Sequence, residues 1–319
     1  MLPDIFTNLQ FSRTSSGSNS DVKLNTSPLS MIVSTLFVLL AIHFWGGGTS
    51  WAASSSLKAA SGFADAAGLP GELGKIVYQK NTASNIQLFI IGNSHRSSAS
   101  GENGSHTVPA QIQTYRIAEW LIRQHQVELL LPEGFFGRQE RTGIPDAIVR
   151  HDDPTLEEAL ADTSTFINAD LLLHRNYGIA LHQVEDRDLY RNVREFLLSN
   201  LKSGNRFLAP FGLELGYLQE RRSAAILQKI PAVINAEYRQ GHIAQPRAIL
   251  TIGVTHLDEM IKFLKTERIE VYAPPLGASG FQDYREDLDL MAQEVGVTVI
   301  VPRVILADRE MMSLANLQP

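Results

Sequence analysis

There is no cysteine anywhere in the 319 residues. That excludes a disulfide scaffold, a thiolate zinc or iron–sulfur centre and a cysteine nucleophile. The chain is also poor in excess charge of either sign. Its 28 Lys and Arg stand against 34 Asp and Glu, a net charge of −6. Such a chain lacks the basic footprint of a nucleic-acid binder, and no nucleic-acid partner is expected. Three familiar signatures are missing as well: the His-Glu-x-x-His helix, the Walker loop and the Gly-x-Ser-x-Gly elbow. Any demanding chemistry must therefore come from histidine, carboxylates or serine. The length suits one large domain or two small ones, with enough chain to bury a sizeable core.

Long apolar runs are scarce, and the exception is instructive. Residues 1–30 are polar and rich in Ser, Asn and Thr, which predicts a disordered leader. Met31–Trp45 then forms an apolar run of about 15 residues, short of the roughly 20 that span a bilayer. Gly46-Gly47-Gly48 and the small-x-small step Ser50-Trp51-Ala52 follow. That order matches a secretory signal, with an uncleaved short membrane anchor as the alternative. The expected organisation is a leader with signal or anchor over 1–52, a Gly/Ala/Ser-rich linker over 53–74, and an α/β domain over 75–319. The domain would face a non-cytoplasmic space: periplasmic, secreted or anchored to a membrane through 31–45. The sequence gives no oligomeric state.

Within the domain, strand and helix patterns alternate. Apolar runs at Gln87–Ile91, Val127–Leu131, Ile179–Val184 and Arg247–Ile252 predict buried strands. Glu270–Ala273 and Gly296–Val301 predict two more. Helical spacing covers 109–126, 163–177, 188–202, 211–240, 256–265 and 281–294, while 135–162 reads as loop-rich. This alternation predicts an α/β fold, a mostly parallel sheet with helices on both faces. Ligands of such sheets bind beyond the carboxyl ends of the strands.

Four strand ends carry reactive groups. Gly92-Asn93-Ser94-His95 and Gly253-Val254-Thr255-His256 repeat Gly-x-x-His. Pro132-Glu133-Gly134 and Glu185-Asp186-Arg187-Asp188 each supply a carboxylate. A single Gly-x-x-His arises readily by chance, and Asp186 and Asp188 stand where helix caps are expected. Recurrence on four strands of one parallel sheet is what singles the set out. Two imidazoles and two carboxylates also suit a divalent transition metal with open positions for water. His106 lies on the loop after the first motif and is a lesser candidate. His182 lies inside a strand and reads as a core residue.

The order Gly-x-x-His, helix, strand ending in Glu, acidic-Arg step, long helices, then Ile252-Gly-Val-Thr-His-Leu257 resembles the TraB/TIKI family. That family is grouped with erythromycin esterase and the ChaN-like haem-associated proteins. The resemblance spans about residues 85–275 and includes Gln219-Glu220-Arg221-Arg222 on a long helix.

The resemblance implies two related halves in an erythromycin-esterase/ChaN/TIKI-like fold. It also implies a hydrolase that cuts a peptide or ester bond, with manganese, cobalt or zinc as a divalent cofactor. Its functional positions fall on His95, Glu133, Glu185 and His256, with Arg222, or else Arg221, as the basic group. His95, Glu133 and His256 would hold the metal. Glu185 would be a ligand or the general base, and Arg222 would neutralise a tetrahedral intermediate or a substrate carboxylate. Three alternatives stay open. One is metal-free ester hydrolysis by a His base oriented by a Glu. Another is a haem- or ligand-binding envelope protein without turnover. The third is an inactive envelope α/β domain whose strand-end polar groups are structural.

Overall fold

The computed structural model describes residues 68–95, 104, 106–141, 154–161, 168–203, 209–275, 280–314 and 316. The leader, the 31–45 segment and most of the linker lie outside these residues. Among the described residues no helix is long and apolar enough to cross a membrane.

The strands are β1 Gly74–Lys80, β2 Gln87–Asn93, β3 Leu129–Pro132, β4 Arg138–Gln139, β5 Ala180–His182, β6 Arg247–Gly253, β7 Arg268–Val271, β8 Tyr284–Asp287 and β9 Gly296–Pro302. The helices are α1 Thr107–His125, α2 Pro154–Ala161, α3 Ala169–Tyr177, α4 Arg187–Ser203, α5 Ala209–Arg239, α6 Leu257–Thr266, α7 Asp289–Ala292, α8 Arg303–Leu306 and α9 Arg309–Leu314.

Seven strands form one sheet in the order β1-β9-β2-β6-β3-β5-β4. The inner five are parallel, and an antiparallel strand closes each edge. The chain is thus α/β with a mostly parallel sheet, as the alternating pattern predicts. The central strands are apolar on both faces because helices cover both. On one face Leu88, Ile90, Leu250 and Val299 pack with Leu227 and Ile230 of α5 and with Met260 and Leu264 of α6. On the other, Phe89, Ile91 and Ile249 pack with Tyr115 and Leu121 of α1 and with Leu172 of α3.

Helix ends follow local chemistry. Asn168 caps α3 by accepting the Leu171 amide at 2.8 Å, and Gly178 ends the helix with φ 63°. That conformation costs a glycine little. Asp186 caps α4, as its position predicts, by accepting the amides of Asp188 and Leu189.

Three expectations need correction. The stretch 281–294 is not one helix: Tyr284–Asp287 is strand β8, followed by the short α7. The 270–273 strand starts earlier, at Arg268, and does not join the main sheet. It pairs antiparallel with β8 as a separate two-stranded ribbon. The charges of Tyr284-Arg-Glu-Asp287 are exposed there, so burial contributes little and cross-strand pairing decides the conformation. Third, the sequence reading takes Pro154–Ala161, helix α2, as part of a loop-rich stretch, and it misses β1. That strand is half-buried and owes its place to pairing with β9, a non-local contact that local patterning does not register.

Candidate functional site

Because β2, β3, β5 and β6 are parallel neighbours, their carboxyl ends share one edge. His95, Glu133, Glu185 and His256 all follow those ends, and the structure brings all four together around Arg222 of α5. Asn93 stands opposite Gly253 in the β2–β6 register. The two glycines have different work. A Cβ on Gly92 would stand 2.6 Å from Leu257 Cδ1, so this glycine admits the leucine after the second motif. A Cβ on Gly253 would stand 3.3 Å from Glu133 Oε2 and within 3.6 Å of both imidazole rings, so this glycine faces the site itself.

Glu133 is the hub. Its Oε1 lies 2.7 Å from Arg222 Nη2 and 3.7 Å from His256 Nε2. Its Oε2 accepts the Gly253 amide at 2.5 Å and lies 3.1 Å from His95 Nε2. The last contact has ion-pair distance but not hydrogen-bond geometry, so this buried nitrogen has no hydrogen-bond partner among the described residues. Burial pushes the Glu133 carboxyl up, but Arg222, His95 and His256 outweigh it and hold the group well below the usual carboxylate range. Burial likewise pulls His95 down, and the Glu133 carboxylate overrides it, leaving the imidazole raised.

Glu185 is fully buried and clamps Arg222 through Oε1 to Nε at 2.7 Å and Oε2 to Nη2 at 2.6 Å. Its Oε2 also accepts the Gly134 amide at 3.2 Å. The Arg222 guanidinium further lies 5.1 Å over the Tyr190 ring. Burial opposes its charge, but Glu133 and Glu185 prevail and hold it protonated. Arg221 turns away and stacks 3.5 Å over Tyr284, so the basic member of the site is Arg222. His106 pairs with Asp308 at 2.8 Å, and His182 hydrogen-bonds the Gln183 carbonyl; neither contacts the site residues.

Three groups escaped the sequence reading. Ser223 Oγ lies 2.9 Å from His256 Nδ1 and donates to Glu259 Oε2 at 2.8 Å. Ser223 directly follows Arg222, and Glu259 stands three residues after His256, a spacing that brings helical side chains together. The third is Asp170, in the first turn of α3, whose Oδ1 accepts Thr251 Oγ1 at 2.8 Å. A buried threonine in the middle of β6 was the signal that something polar must meet it.

Burial pushes Asp170 up to about 6, against the pull of Thr251 and His95. Its folded pKa lies above the ordinary value, so ionisation costs stability as pH rises through that window. Asp170→Asn keeps the acceptor for Thr251 and removes the charge. It is expected to gain about 2 kcal/mol at pH 8 and nothing at pH 4, read by urea denaturation at both values. Equal effects at the two pH values would refute this.

The donor set does not fit a resident metal well. Among the described residues no group of three or more His, Asp or Glu side chains is arranged as a cation site. Glu133 faces a guanidinium on one oxygen and an amide on the other, and a dication between the imidazoles would sit beside Arg222. Glu133 and Glu185 are instead balanced by Arg222 and, when it is protonated, His95. A cavity of about 680 Å³ between α4 and α5 is lined by Phe196, Tyr217, Arg221 and Phe281 among others, and by none of the site residues. Comparison with known proteins finds no family model, no curated protein and no solved structure that matches this chain.

Proposed function

We propose that the protein is a hydrolase of a peptide or ester bond that works without a bound metal, with His95 and His256 sharing the acid and base roles across Glu133. The observation that carries this reading is the placement of two imidazoles on opposite oxygens of one largely buried, ionised carboxylate, at 3.1 and 3.7 Å. A carboxylate so placed stabilises whichever imidazole takes up a proton. Arg222 and Glu185 bind each other too fully to act on substrate, and they hold Glu133 in position. This revises the roles that the resemblance implies for them.

The same reading takes the fold as that of the TraB/TIKI superfamily, with two related halves that meet where β2 and β6 lie side by side. The adjacent parallel strands and the repeated Gly-x-x-His support it. The segment 31–45 supports a non-cytoplasmic location.

The test is hydrolysis of a panel of peptides and esters by the purified protein, in chelator and with added manganese, cobalt or zinc. Turnover is expected in chelator, and His95→Ala or His256→Ala should each lower kcat by about 10²–10⁴-fold. Wild-type activity in either variant would overturn the assignment. Turnover that appears only with added metal would replace it with the metal-dependent version.

A further inference from the structure

We infer that Ser223 and Glu259 form a relay that fixes His256 as its Nδ1–H tautomer and thereby makes His256, not His95, the general base. The inference deepens the hydrolase reading and rests on it for its catalytic consequence.

The argument starts from the single hydrogen of the Ser223 hydroxyl. Ser223 is fully buried, and its oxygen lies 2.8 Å from Glu259 Oε2 and 2.9 Å from His256 Nδ1. A carboxylate can only accept, so the hydroxyl hydrogen goes to Glu259. The serine oxygen can then only accept from the imidazole, and Nδ1 must carry a hydrogen. In a neutral ring that leaves the lone pair on Nε2. The other side of the ring agrees. Nε2 stands 3.7 Å from Glu133 Oε1, beyond hydrogen-bond range, so an Nε2–H would have no good acceptor there.

The two histidines thereby differ. His256 is 5% exposed and presents an unprotonated Nε2 toward the site. The His95 side chain is 32% exposed and ion-paired with Glu133. In the proposed reaction, water oxygen bonds to the carbonyl carbon as its proton passes to His256 Nε2. The carbonyl electron pair moves onto oxygen. When it returns, the bond to the leaving alcohol or amine breaks as His95, protonated beside Glu133, gives that group its proton, and the proton held on His256 Nε2 passes through solvent to restore His95. Ser223 and Glu259 touch no reacting atom; they are positioning residues. Burial, and after it the nearby charge of Glu259, pushes Glu220 up to about 7. Removing the Glu259 charge relieves that repulsion, so its loss should not unfold the protein.

Two-bond proton–nitrogen correlation spectra of the full chain, at a pH of about 8.5 where free imidazole is neutral, report the tautomer directly. The His256 signal is assigned by its loss in His256→Gln. The wild-type ring is expected as Nδ1–H, and an Nε2–H ring overturns the relay without any further variant. In Glu259→Leu the serine hydrogen loses its carboxylate and turns to Nδ1. The ring should switch to Nε2–H, and kcat should fall about 100-fold with the unfolding midpoint not lowered. A ring that stays Nδ1–H in this variant also overturns the relay. If the wild-type protein cleaves nothing in the panel, the hydrolase reading fails while the spectra still decide the relay.

Discussion

Arg222→Ala is expected to remove about 3–5 kcal/mol of folding stability. The guanidinium holds two carboxylates at once: the buried Glu185 at 2.6 and 2.7 Å and the largely buried Glu133 at 2.7 Å. Without it, among the described residues Glu185 keeps only the Gly134 amide, and Glu133 keeps the Gly253 amide and the two imidazoles. A buried carboxylate left so poorly compensated costs far more than a surface ion pair is worth. Arg222→Lys should fall between alanine and wild type, because a single ammonium restores charge but not the two-pronged grip on Glu185. Equilibrium urea denaturation measures both. A loss below about 1 kcal/mol for the alanine variant would show that water already screens these charges.

The elements that sequence made legible are those whose evidence is local. Gln87–Ile91 and Arg247–Ile252 are continuous apolar runs because both faces of the sheet are covered, and each stops at a glycine that the fold needs. His95, Glu133, Glu185 and His256 could be named because the parallel sheet fixes which end of each strand bears the ligand edge. Residues whose partners are distant in the chain were not legible. β1 depends on β9, more than two hundred residues away. Tyr284–Asp287 is a strand only because Arg268–Val271 lies beside it. Ser223 was one more helical serine beside a notable arginine, and Asp170 fell inside the stretch 163–177, whereas the described helix starts at Ala169. Their roles come from burial against His256 and Thr251, which no spacing rule encodes. The choice between Arg221 and Arg222 also needed the helix to be docked, since neighbouring positions on a helix point about 100° apart.

Glu133→Gln should then separate the chemistry of the site from its contribution to stability. The amide is isosteric and can still accept from Gly253, and Arg222 keeps its grip on Glu185, so the fold should survive. What disappears is the charge that both imidazoles face, and kcat should fall by about 10²-fold or more. The stability effect has a pH signature. In the wild type the carboxyl is held below its usual range, which contributes stability above that range and loses it as pH falls through the depressed value. His95 is raised, which contributes stability below the usual imidazole value and loses it as pH rises through the raised one. The ion pair is therefore at full strength between about pH 4.5 and 6.5. An uncharged amide can supply neither flank, and the variant should lose about 2 kcal/mol near pH 6, with a smaller deficit toward either extreme. Thermal unfolding across a pH series reads this as a flattened profile. A profile parallel to wild type, displaced equally at every pH, would mean that Glu133 contributes through shape and hydrogen bonding alone, and the pairing of both imidazoles with its charge would fall with it.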